Sequence, residues 1–190
     1  DGSTNGSTHT YFYTKPVAKV PMTTGFNAQG TPFYFTSKNI LVDKDVNGND
    51  IGWCANGTTL QRGMNDNCLD DGRMYTWAEA AKACEAYSVA NEGSTGLVWS
   101  LPTKADAENL IDVVEAEAGA GNAGYYLKSY QFTQYNGVEN TIDKYGFSAQ
   151  ETGYVLGGWT TSNAELLGMG LYGFTWLATQ HDNSLGHSLG

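Results

Sequence analysis

A chain of 190 residues, 41% of them hydrophobic, is long enough to enclose one core and too short for two of comfortable size, so a single folded domain is expected. Charged residues make up 16%, while glycine occurs 24 times and tyrosine 12, a loop-rich composition that suits an exported protein better than a helical cytosolic one. A formal charge of -10 argues against a phosphate-backbone partner and so against nucleic acid. No run reaches the roughly 18 apolar residues that cross a bilayer, so no membrane insertion of this chain is expected.

Asp1 to Thr10 form a Gly/Ser/Thr/Asn leader with no apolar pattern, which reads as the start of a processed product. Residues 1–32 are expected to form an extended N-terminal arm, with Tyr11-Phe12-Tyr13 and Val17 to Val20 as short extended segments broken by Pro16 and Pro21. The domain proper is placed at 33–190. It begins with extended Phe33-Tyr34-Phe35 and Ile40-Leu41-Val42, followed by turns and loop from Asp43 to Leu60. Thr76-Trp77-Ala78-Glu79 is a capping box, and the helix it opens carries Ala80, Ala81, Ala83, Cys84 and Tyr87 and is expected to end near Asn91-Glu92-Gly93. A second helix has Thr103 as its cap and Asp106 three residues on, buries Leu110, Ile111, Val113 and Val114, and closes at Gly119, Gly121 and Gly124. Short β segments are predicted at Tyr125 to Lys128, Phe147 to Ala149, Gly153 to Leu156 and Tyr172 to Leu177. Two early helices and short late strands make the class α+β.

Several of these segments carry a resemblance. Gly72-Arg73-Met74-Tyr75-Thr76-Trp77-Ala78-Glu79-Ala80-Ala81, Cys84 and Leu101-Pro102-Thr103 resemble the "G-R-L-Y-T-W-x-x-A…C…L-P-T" block of the Fibrobacter succinogenes major paralogous domain family. Leu127-Lys128-Ser129, Asp143-Lys144-Tyr145-Gly146-Phe147-Ser148-Ala149, Gly153-Tyr154 and the Trp176 segment follow in the same order, so that the resemblance covers roughly Phe33 to Gly190. It implies a bacterial domain, secreted or on the cell surface, with a C-type-lectin-like fold in which two helices flank a small antiparallel sheet with long loops. Two departures stand out: a longer insertion from Ala86 to Ser100, and an end at Gly190 where the family pattern leads one to expect further strands and a late cysteine.

That pattern bears on the cysteines. Cys54 and Cys68 match a loop pair, and a disulfide closing their Gly/Asn-rich loop would contribute about 3 kcal/mol in the chain-entropy view. Cys84 resembles the family cysteine that pairs near the C-terminus, and is read either as lacking that partner or as a buried free thiol.

Asp43-Lys44-Asp45-Val46-Asn47-Gly48 spaces its oxygen-bearing side chains like the first half of an EF-hand loop, with Asp43, Asp45 and Asn47 as the calcium ligands. The twelfth position is Cys54 and no helices flank the run, so a polar Asx-rich turn is the competing reading. Trp159, Tyr172, Phe174 and Trp176 lie where lectin-like folds place exposed loops, beside the polar Gln180-His181-Asp182-Asn183, with core burial the competing reading for half or more of these rings and Trp176 matching a family position that is packed; the ligand-contacting set is placed at Trp159, Tyr172, His181, Asp182 and Asn183. Catalytic fingerprints are missing from the sequence. The expected function is therefore a non-catalytic adhesion domain touching a glycan or a surface protein. The alternative is a structural subunit of a surface fibre, forming homo-oligomers through strand addition by the N-terminal arm.

Overall fold

A computed structural model describes residues 39–56, 58–63, 68–69, 72–95, 98–129, 143–156, 165–180 and 186–189. The arm at 1–32 and the Phe33-Tyr34-Phe35 segment lie outside the described residues. The class is α+β: the described residues include three helices, α1 (Trp77–Thr95), α2 (Lys104–Ala118) and α3 (Ala123–Leu127), and six short strands, β1 (Cys54–Asn56), β2 (Thr59–Gln61), β3 (Thr152–Leu156), β4 (Glu165–Met169), β5 (Thr175–Gln180) and β6 (Gly186–Leu189). Among the described residues the strands form three separate antiparallel pairs, β1 with β2, β3 with β4 and β5 with β6, rather than one small sheet.

Both long helices start as their sequences dictate. The Thr76 amide donates to Glu79 Oε2 and the Glu79 amide to Thr76 Oγ1, each at 3.2 Å. Thr103 and Asp106 repeat the box at the head of α2. Each cap satisfies amides that have no partner within the helix and contributes about 1 kcal/mol. Beyond the caps, α1 buries Ala80, Ala83, Tyr87 and Asn91 at steps of three and four, and α2 buries Ala107, Leu110 and Val114 the same way, whereas Ile111 and Val113, expected on the buried face, flank that stripe and are only partly buried. Helix α1 continues to Thr95, past the expected stop at Asn91 to Gly93.

The core consists of three clusters. Leu110, Val114, Ala123, Leu127 and Tyr145 join α2 to α3 and to the loop beyond it, with Leu110 and Val114 fully enclosed. Truncating a side chain so placed to alanine costs about 2–5 kcal/mol. Ile51, Tyr75, Ala80 and Ala83 form the second cluster, against which Ile40, Val42, Leu101 and Trp176 pack. Leu41, Cys54 and Cys68 form the third.

Strand β5 ties both helices together. Trp77 Nε1 donates to Leu177 O at 2.8 Å, and Trp176 Nε1 to Tyr75 O at 2.7 Å. The Ala178 amide donates to Pro102 O at 2.7 Å, and the Lys104 amide to Thr179 Oγ1 at 2.8 Å. Four bonds thus fix one strand against the N-terminal ends of α1 and α2, and satisfy two indole N–H groups that burial would otherwise penalise.

Several expectations are corrected. Tyr125 to Lys128 is not a strand: Tyr125 to Leu127 are in α3, because Ala123 and Leu127, four apart, then both face the Leu110/Val114 cluster, and Lys128 is the extended residue that caps it. Phe147 to Ala149 forms no strand beyond a single parallel bridge from Ala149 to Lys128. Asp143 instead folds the segment into a turn by accepting from the Ser148 amide and hydroxyl at 2.8 and 2.6 Å. Tyr172 to Phe174 precede β5 instead of belonging to it. Within the stretch read as loop, β1 and β2 form a hairpin with Cys54 opposite Gln61, and the Cys54–Cys68 disulfide closes beneath it.

Candidate functional site

The β3–β4 hairpin and the chain leading into β5 bring three aromatic rings together. Tyr154 on β3 lies 5.4 Å from Phe174 and 6.3 Å from Tyr172, meeting both edge-on, with interplanar angles of 81° and 64°. Tyr172 and Phe174 lie side by side, 6.3 Å apart and inclined by 36°. Edge-on contact is the favoured geometry for aromatic rings, so Tyr154 acts as a buttress that sets the tilt of the other two. Tyr172 is 54% exposed and Phe174 44%, with Met169 and Leu171 exposed nearby in the chain.

The backbone explains why the rings stand where they do. The Tyr172 amide donates to Gly168 O at 3.0 Å and the Gly153 amide donates to Tyr172 O at 2.7 Å, which pins the residue between the two strands. Gly168 has a φ of +66°, and a Cβ there would sit 2.7 Å from the Tyr172 ring. At Gly173 a Cβ would come 2.1 Å from Gln150 O. A side chain at Gly168 would run into the Tyr172 ring and one at Gly173 into the backbone of Gln150, so both positions require glycine for the strands and rings to stay where they are.

Of the ligand-contacting set read from the sequence, Tyr172 is on this patch; Trp159, His181, Asp182 and Asn183 lie outside the described residues. Phe174, named among the aromatic platforms, joins it, whereas Trp176 is turned inward onto the Tyr75 cluster. Tyr154 was missed as a site residue. The signal available for it was the glycine spacing around Tyr172, which is legible as crowding only once β3 and β4 are paired.

The Asp43 to Asp50 run folds as an Asx turn. Asp45, 7% exposed, accepts from the amides of Asn47 and Asn49 at 2.9 Å and from Asn49 Nδ2 at 3.1 and 2.9 Å, so both of its carboxylate oxygens are occupied. These bonds, from the Asn49 side chain first, hold the Asp45 carboxyl below the usual carboxylate range. Lys44 and Asp50 pair across the turn at 2.6 Å in an exposed contact. Among the described residues no group of three His, Cys, Asp or Glu is placed to hold a metal ion.

A separate groove of about 600 Å³ runs between α1 and residues 98–101, lined by Trp77, Cys84, Ser88, Trp99, Leu101 and Ala178 among others. Cys84 is a free thiol, pushed up to about 11 by burial, which leaves it protonated and a poor nucleophile at neutral pH. Comparison of the chain with family models, curated proteins and solved structures gives no match.

Proposed function

We propose that the chain is a non-catalytic binding domain, displayed outside a bacterial cell, that contacts a glycan or a surface protein through the Tyr154, Tyr172 and Phe174 patch. The observation that carries this reading is the exposure of Tyr172 and Phe174 on a backbone where Gly168 and Gly173 have no room for a side chain. Two rings left in water lose the burial that normally stabilises an aromatic side chain, and a partner covering them recovers it. Rigid aromatic anchors on a fixed frame are what binding surfaces use, because little conformational freedom is lost on contact.

The wider reading supports the same conclusion. Membership of the major paralogous domain family, with its C-type-lectin-like fold, is part of the proposal. It is supported by the order of the sequence motifs and by two long helices flanking β5, with the candidate site on the hairpin and loop beyond them. An extracellular or surface address is supported by the Cys54–Cys68 disulfide, since such bonds persist in oxidising compartments.

The test is a binding screen of the wild-type chain against immobilised polysaccharides and bacterial surface proteins, run beside a Tyr172→Ala/Phe174→Ala variant. The expected result is retention of the wild type on at least one surface and loss by the variant. The melting temperature should fall only slightly, since exposed rings add little to stability. Equal retention of both proteins would sink the reading.

A further inference from the structure

We infer that the aromatic patch takes a neutral polysaccharide, through the apolar faces of successive sugar rings and without help from charge. This rests on the patch reading above and narrows it to one ligand class.

Area is the first argument. An aromatic side chain offers roughly 150–250 Å², so Tyr172 and Phe174 at their observed exposures present about 100 Å² each. A stable protein interface needs about 800 Å² from each partner, several times what the two rings supply even with Met169 and Leu171 beside them. Two exposed rings side by side suit a ligand that is itself a row of small flat units. Each pyranose presents a face of C–H groups to one ring, and its hydroxyls stay in water at the edge.

Charge is the second argument. From Tyr145 to Gly190 the sequence contains neither Lys nor Arg, while Glu151, Glu165 and Asp182 are acidic, and the whole chain carries -10. Lys144, the last cation, is tied to Glu117 and stands over the Tyr126 ring at 5.6 Å. An acidic polysaccharide lying along this segment would find no guanidinium or ammonium supplied by it to pair with, and burying its charge unpaired is unfavourable. A neutral chain meets no such penalty.

Shape is the third. Tyr172 and Phe174 are inclined by 36°, so they form a shallow trough rather than one plane, and Tyr154 holds that angle from behind. A polymer that turns slightly from one sugar to the next fits a trough, and a flat crystalline surface fits it less well.

The experiment uses the full chain in affinity electrophoresis through gels containing soluble xylan, hydroxyethylcellulose or polygalacturonate, from low to high salt. The wild type should be retarded by a neutral polymer, equally at both salt extremes, and not by polygalacturonate. Tyr172→Ala and Phe174→Ala should each weaken retardation about tenfold, while Tyr172→Phe, which keeps the ring, should retain it. Retardation by polygalacturonate, or retardation by a neutral polymer that disappears with salt, overturns the ligand class. If the alanine variants are nevertheless affected, the patch remains the contact surface. No retardation by any polymer, with a protein partner captured by the wild type and lost by the alanine variants, likewise overturns this inference and leaves the patch reading standing. Retardation that the alanine variants keep in full overturns both.

Discussion

Around Arg73 polar atoms are held inside the protein, while around Tyr172 aromatic rings are held outside it. Arg73 is 5% exposed; its Nη2 donates to Ile51 O, Gly52 O and Arg62 O at 3.0, 2.7 and 2.8 Å, and its Nη1 lies 3.3 Å from Cys54 Sγ. Burial draws its pKa down from the usual guanidinium value, but a charge with three carbonyl partners is well compensated. Arg62 closes the same region from the surface, 4.0 Å over the Trp53 ring and 2.8 Å from Glu79. At Tyr172 two backbone hydrogen bonds and the close approach of Gly168 fix a residue whose ring is about half exposed. The first region breaks the rule of apolar interiors and repairs the breach with hydrogen bonds. The second leaves two rings partly in water among the described residues, which is why changes in the first should be read as stability and changes in the second as binding.

The largest effect expected from breaking this contrast is at Arg73. Arg73→Leu keeps much of the volume but removes three charge-assisted donations to carbonyls, and a loss of about 3 kcal/mol or more is expected in urea unfolding. A loss below about 1 kcal/mol would show that the loop is held by something other than the guanidinium. Next comes the disulfide. Cys54 and Cys68 are 14 positions apart and fully enclosed, so Cys54→Ala/Cys68→Ala should lower stability by about 3 kcal/mol, again by urea unfolding. Because Arg73 touches the Cys54 sulfur, combining the two changes should cost less than their sum. Full additivity would mean the contact carries no energy.

The features that local chemistry specifies were legible in the sequence. Both capping boxes, the α1 and α2 stripes and the α+β class follow from residues a few positions apart, where side-chain reach and helical period leave few choices. The Cys54–Cys68 bridge came from the family pattern together with the poverty of apolar residues between them. What was not legible depends on distant pairing. Nothing near Arg73 announces that its guanidinium will be buried; its carbonyl partners are eleven to twenty-two residues away. The β1–β2 hairpin is three residues a side, too short for alternation to register, and Tyr125 to Lys128 reads as β by its tyrosines until the Leu110 cluster claims Ala123 to Leu127 for a helix. The candidate site was half legible for the same reason. Tyr172 and Phe174 stand two apart in a loop-rich region, but Tyr154 joins them only through the pairing of Tyr154 with Leu167, which places Gly168 beneath the rings.

The smallest effect belongs to Asp45, and it sharpens the contrast by testing whether a buried acid in the first region is as self-sufficient as the Arg73 guanidinium. Its folded pKa is depressed by bonds from Asn49 and Asn47, so the stability it contributes is fully present above the unfolded carboxylate value of about 3.9 and is lost as pH falls through the lower folded value. Asp45→Asn should therefore lower Tm at neutral pH, and the gap from wild type should narrow as the pH drops below about 4. Asp50, whose carboxyl is also held low but by the exposed Lys44, should give a smaller gap that shrinks further with added salt. Calcium separates the two readings of this run. With both Asp45 oxygens accepting N–H groups, the turn is complete, and added calcium should leave the melting curve unmoved. A rise in Tm on calcium addition that Asp45→Asn abolishes would replace the Asx turn with a cation site at Asp43, Asp45 and Asn47.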